Sequence, residues 1–116
     1  MGRGRSILNV PEVRRVGGEV AVDREGDMIA VRLRGDIDLD LGDALDAAVV
    51  EALTRYEPIR IDASQIVFID SFGMSLVARL IAGERQLQRR VQLIGATRWV
   101  LELLEISGLL AELDVD

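Results

Sequence analysis

From Met28 to Arg34 apolar and polar positions alternate, with Ile29, Val31 and Leu33 on one side and Ala30, Arg32 and Arg34 on the other. This period of two predicts a half-buried strand that stops at Gly35. Upstream, Glu19 to Asp23 reads as a shorter strand, and Glu25-Gly26-Asp27 as the turn that joins the two as antiparallel neighbours. After an acidic connection, Asp36-Ile37-Asp38-Leu39-Asp40, the period changes. Leu41, Leu45, Ala48, Val49, Ala52 and Leu53 recur at helical spacing, with Asp40 as the expected N-cap. Pro58 marks the return to extended chain, and Ile59-Arg60-Ile61-Asp62 runs on into the apolar stretch Ile66-Val67-Phe68-Ile69 as a third strand.

A second amphipathic helix is predicted from about Gly73 to Gln88. Met74, Val77, Leu80, Ile81 and Leu87 mark its buried side, and Arg79, Arg85, Gln86, Arg89 and Arg90 lie toward solvent or its C-terminal end. Val91 to Ile94 is a fourth strand, and Thr97 to Ile106 a third helix, capped by Thr97 and closed by Ser107-Gly108. The tail, Leu109 to Asp116, adds an edge segment or a last turn. The order β-β-α-β-α-β-α predicts an α/β domain: a mixed sheet of four to five strands, the later ones parallel, with helices packed against it.

With 116 residues, 49% of them apolar, the chain is sized for one domain with one continuous core. We expect that domain over residues 17–116, preceded by a flexible basic arm over 1–16 that carries Arg3, Arg5, Arg14 and Arg15. No apolar stretch approaches the roughly 20 residues of a membrane span, and no signal-peptide core is visible, so the expected location is cytoplasmic. A net charge of -6 argues against nucleic acid as a partner and favours protein. The chain has no cysteine, histidine or lysine, all 14 basic residues being arginine. That absence removes thiolate chemistry, Ser-His and Ser-Lys dyads, Schiff bases and zinc sites built on His or Cys.

What remains is carboxylate, hydroxyl, arginine and backbone, and the turn Asp70-Ser71-Phe72-Gly73 concentrates them. It sets a serine hydroxyl at a strand-to-helix corner, where it can be a helix cap, a nucleophile or a phosphate acceptor. The nucleophile reading is poor without a histidine or lysine to activate it. Asp36, Asp38, Asp40 and Asp43 read as caps and solvated loop charges rather than as a metal or acid/base cluster, and no cofactor is expected. Arg32 and Arg34 read as a solvated face able to meet acidic groups, Ser75 as a helix-surface or packing residue, and Trp99 as packing at the core edge.

Three segments carry a resemblance over residues 19 to 110: Gly35-Asp36-Ile37-Asp38, Phe68-Ile69-Asp70-Ser71-Phe72-Gly73, and Ile106-Ser107-Gly108-Leu109. In this order and spacing the chain resembles the STAS family of anti-sigma-factor antagonists. The first segment is similar to the Gly-Glu-Leu-Asp element after the family's second strand. The second is similar to its apolar-Asp-Ser-(Ser/Thr)-Gly phosphorylation loop, and the third to the Ser/Thr-Gly-Leu ending of its last core helix. The resemblance implies a binding switch rather than an enzyme. Unmodified, such a protein captures an anti-sigma factor with Ser/Thr kinase activity and frees a sigma factor for transcription; phosphorylated at the position of Ser71, it lets go. The positions implied in partner binding are Asp36, Asp38, Asp70, Phe72, Gly73, Met74 and Ser75.

An alternative within the family is a regulatory or scaffold subunit of a transport or stress-signalling assembly, not switched at Ser71. Phe72 departs from the pattern, standing where the family has a small hydroxyl residue. It is either a buried anchor under the helix or an exposed ring in an interface. A phosphate on Ser71 would lie at a helix N-terminus, which tolerates negative charge, and beside Asp70, where it would crowd a closing partner.

Overall fold

The computed structural model describes residues 17–116; the basic arm expected over 1–16 lies outside the described residues. Five strands form one sheet: β1 (Glu19–Glu25), β2 (Met28–Ile37), β3 (Ile59–Ile69), β4 (Val91–Ile94) and β5 (Leu113–Val115), in the spatial order β1-β2-β3-β4-β5. β1 and β2 are antiparallel across a turn at Gly26, and each later pairing is parallel. Parallel neighbours need crossovers, and these carry α1 (Gly42–Leu53), α2 (Ser71–Arg85) and α3 (Arg98–Ile106). The tail supplies both of its expected forms, a 3-10 turn at Leu110–Glu112 and then β5 at the sheet edge.

The alternation read from the sequence separates the two faces of the sheet. Ile29, Val31 and Leu33 of β2, Ile59 and Ile61 of β3, and Val91 and Leu93 of β4 share one buried cluster. Leu45 and Val49 of α1, Leu76 and Leu80 of α2, and Val100 and Leu104 of α3 complete it. The opposite face is held by polar pairs. Arg32 bridges Asp23 and Glu25, Arg60 reaches Glu25 at 3.0 Å and Gln92 at 2.8 Å, and Arg34 sits 3.6 Å from Glu19. The arginines of this face thus meet acids of their own chain. On the same side the Ser64 hydroxyl donates to Asp62 at 2.7 Å. That bond, more than the nearby Arg32 and Arg60, holds the Asp62 carboxyl below its ordinary pKa against the opposing effect of burial.

One expectation needs correction at the C-terminal ends of the strands. β2 does not stop at Gly35 but continues through Asp36 to Ile37. Gly35 is a bulge position with φ of +76°, and a Cβ there would lie 2.3 Å from the Gly17 carbonyl oxygen, so the residue marks an irregularity inside the strand. The parallel register also slips on the β3 side: Gly35 pairs with Ile66 but Asp36 pairs with Phe68, which leaves Val67 as an extra residue. The slip shifts the side-chain phase, so Val67 and Phe68 emerge on the surface although they lie in an apolar run.

Candidate functional site

The parallel pairing of Ile37 with Ile69 brings two loops together beyond the strand ends, and Asp70 ties them. Its N–H donates to the Ile37 carbonyl at 3.2 Å, and its Oδ2 accepts from the Leu39 N–H at 3.2 Å. The other carboxylate oxygen, Oδ1, accepts from the N–H groups of Phe72 at 2.8 Å and Gly73 at 3.4 Å. Asp70 is therefore the N-cap of α2, in extended conformation, and Ser71 is the first helical residue. This removes the cap from the roles open to Ser71, whose side chain is exposed. It also changes the account of a phosphate at this position: two of the N–H groups that would have received it are already satisfied by the Asp70 carboxylate.

The Asp36–Asp40 segment is built differently from the expectation. Asp38, not Asp40, is the capping residue. Its Oδ1 accepts from the Asp40 N–H at 3.1 Å and opens a 3-10 turn, Leu39–Leu41, which leads directly into α1. The N-cap position of α1 falls on Leu41, with no side-chain hydrogen bond. Asp36 belongs to β2 and is half-buried beside Phe68 of β3. Asp36 and Asp38 thus flank Ile37, the residue hydrogen-bonded to Asp70, so the first and second motif segments meet at one corner.

α2 begins two residues earlier than predicted and ends at Arg85, which leaves Leu87 beyond the helix and exposed. Its first turn divides by side. Gly73 is buried, and a Cβ there would stand 2.5 Å from Ile69 Cγ1 and 2.9 Å from Ile37 Cγ2, so only glycine lets the helix start seat against the ends of β2 and β3. Met74 is half-buried against the core. Phe72, 44% exposed, points away from that contact and is not a buried anchor. It lines a groove of about 510 Å³ between the start of α1 and α2, together with Leu39, Asp43, Asp46, Ser75 and Arg79. Arg79 spans the groove to Asp46 at 2.9 Å.

The sequence reading missed a second surface feature. Phe68 and Trp99 stack in a tilted pair with ring centroids 6.5 Å apart, both partly exposed, so Trp99 covers surface at the strand ends rather than the core edge. Thr97, just before it, caps α3 as expected, accepting from the Val100 N–H at 3.4 Å. Among the described residues no group of acidic, histidine or cysteine side chains could hold a metal ion, and no helix is long and apolar enough to cross a membrane.

A domain of this topology, with a capped Asp-Ser corner where two parallel strands end, has clear relatives. The family model described as "Mlab, STAS domain" matches residues 20–113, and the chain belongs to the STAS family. Among solved structures it is similar to the anti-sigma factor antagonist SpoIIAA in its unphosphorylated form, at 19% identity and a TM-score of 0.70, over 84% of this chain and 88% of that one. The phosphorylated form of the Bacillus cell fate determinant SpoIIAA matches at 18% identity and a TM-score of 0.67, over 84% and 91% of the two chains. An anti-sigma factor antagonist from Mycobacterium paratuberculosis matches at 19% identity and a TM-score of 0.72, over 85% of each chain. At such identities the likeness establishes the fold. No curated protein sequence matches the chain significantly.

Proposed function

We propose that this STAS domain is an anti-sigma factor antagonist that works by binding and not by catalysis. Unphosphorylated, it holds an anti-sigma factor with Ser/Thr kinase activity at the corner formed by Asp36, Asp38 and Asp70 to Ser75. Phosphorylation of Ser71 by that kinase releases it and so regulates transcription, in the cytoplasm and without a cofactor of its own. The observation that carries the reading is the pairing of an exposed Ser71 with a capping Asp70. A phosphoserine brings a charge of about -1.5 to -2. With the Phe72 and Gly73 N–H groups already bonded to Asp70, that charge adds to a carboxylate surface instead of being absorbed by the helix end. A partner closing over it would have to desolvate both anions, and affinity falls while the core beneath stays packed. SpoIIAA, whose phosphorylated and unphosphorylated forms both match this fold, is consistent with a switch of that kind.

The test is incubation with the anti-sigma kinases of the source organism and ATP, followed by mass mapping. Phosphate is expected on Ser71, and Ser71→Ala should abolish incorporation while shifting stability by less than about 0.5 kcal/mol, since the residue is not the cap. Undiminished labelling of that variant overturns the assignment. One observation favours a second reading, a STAS subunit of a transport or stress-signalling assembly not switched at Ser71. Phe72 puts an exposed aromatic ring where the resemblance places a small hydroxyl, next to the residue a kinase would have to reach. Co-purification with a large assembly, and no kinase that labels Ser71, would select it.

A further inference from the structure

The third segment singled out in the sequence, Ile106-Ser107-Gly108-Leu109, divides at the end of α3: Leu109 packs against the core, whereas Ile106 stands 83% exposed. Ile106 is not alone. Trp99, Leu103 and Ile106 recur at helical spacing on α3, beside the Val100 and Leu104 that the core buries; Trp99 is exposed and Leu103 half-buried. Phe68, stacked on Trp99, carries this apolar stripe to the strand ends. On the flank of the stripe away from the core stand Arg98, Glu102 and Glu105, all exposed, and their side chains make no ion pair or hydrogen bond among the described residues. The order of these charges opposes the helix that carries them. Arg98 is the first residue of α3, at the positive end of its dipole, and Glu105 lies in the last turn, at the negative end.

We propose that this stripe is the contact face of a symmetric dimer, in which α3 of one copy lies antiparallel to α3 of a second. A twofold axis sets each Trp99 near the other copy's Ile106 and both Leu103 side chains near the axis, so the stripe covers itself. It also brings the two charged flanks to the same side of the contact. Arg98 of each copy then reaches Glu105 of the other, and each charge meets the helix end of opposite sign that its own helix does not offer it. A parallel pair would set arginine on arginine and acid on acid, and a neutral apolar segment would leave every one of these charges unanswered. A second copy of this chain is therefore the occupant that fits both the stripe and its flank. Contact through a helix of nine residues belongs to the small, reversible class of interfaces. The dimer does not depend on the role of Ser71.

The experiment is analytical ultracentrifugation of the full chain, from about 10 µM to about 1 mM and at two salt concentrations. A monomer–dimer equilibrium is expected, weaker at the higher salt. Ile106→Asn should weaken it about tenfold by taking apolar surface out of the stripe. Arg98→Glu and Glu105→Arg should each weaken it about tenfold as well, since either change turns two attractive pairs into two repulsive ones. The double variant Arg98→Glu/Glu105→Arg restores opposite charges across the contact and should recover most of that loss. All three positions are exposed, so the melting curves of the variants should stay close to that of the unaltered protein. A chain that remains monomeric at about 1 mM overturns the proposal. So does a dimer that Ile106→Asn leaves intact, which puts the contact on another surface, or a double variant no stronger than the single ones, which removes the antiparallel pairing.

Discussion

At the C-terminal end of α2 each arginine has an acid opposite it. Arg85 meets Glu112 at 2.6 Å, Arg89 meets Glu84 at 2.8 Å, and Arg90 meets Asp114 at 2.8 Å. At the N-terminal end, among the described residues, Arg79 meets Asp46 at 2.9 Å, and the Asp38 and Asp70 carboxylates accept from backbone N–H groups of the turns they cap. The same helix therefore closes its charges in ion pairs at one end and at the other turns carboxylates onto backbone, beside an exposed Phe72. The difference sets the Asp70 corner apart from the rest of the helix.

The comparison breaks first at Gly73. Gly73→Val forces a side chain into Ile69 and Ile37, and we expect a loss of about 3 kcal/mol in urea unfolding. A loss below about 1 kcal/mol would mean that the helix start is not seated on the strand ends. At the other end, Glu84 is 1% exposed, and Glu84→Ala leaves the Arg89 guanidinium without its acid, which should cost about 2 to 3 kcal/mol. Arg85→Ala beside it, an exposed pair, serves as the control and should change stability by less than about 0.5 kcal/mol.

Phe72→Ser is expected to weaken partner affinity by about 2 kcal/mol while the melting curve stays nearly unchanged, because the ring is at the surface. Unchanged affinity with a large stability loss would remove Phe72 from the interface. Asp70→Ala should cost about 1 kcal/mol for the lost cap, accompanied by faster hydrogen exchange at the Leu39 amide that Asp70 now holds. No change at Leu39 would show that the two loops are joined by some other contact.

Much of this was legible in the chain. The alternation of β2, the helical spacing of α1 and α2, and the Thr97 cap of α3 are local signals, and local signals survived into the structure. What could not be read depends on register between distant strands. Nothing in Ile66 to Ile69 announces that Val67 is the extra residue of a bulge, since that follows from how β3 lies on β2. The Asp40 cap failed, and the role of Ser71 stayed open, for a different reason. Asp70 and Ser71 are both good capping residues side by side, as are Asp38 and Asp40 along one acidic run, and the backbone path alone decides which one turns its oxygen onto the helix N–H groups. Phe72 was undecidable until Gly73 was seen to be the buried neighbour, because adjacent helical positions point about 100° apart and fixing one fixes the other.

Trp99 is the chain's single tryptophan, and it rests on Phe68, two residues before Asp70, with part of its ring in water. The protein thus carries its own optical probe at the strand ends. Emission from this one indole responds to the polarity around it, so anything that covers the strand-end rim would shift the spectrum to the blue, whereas an event at the far end of α2 would leave it unaltered. Fluorescence can follow the corner without attaching a label to it.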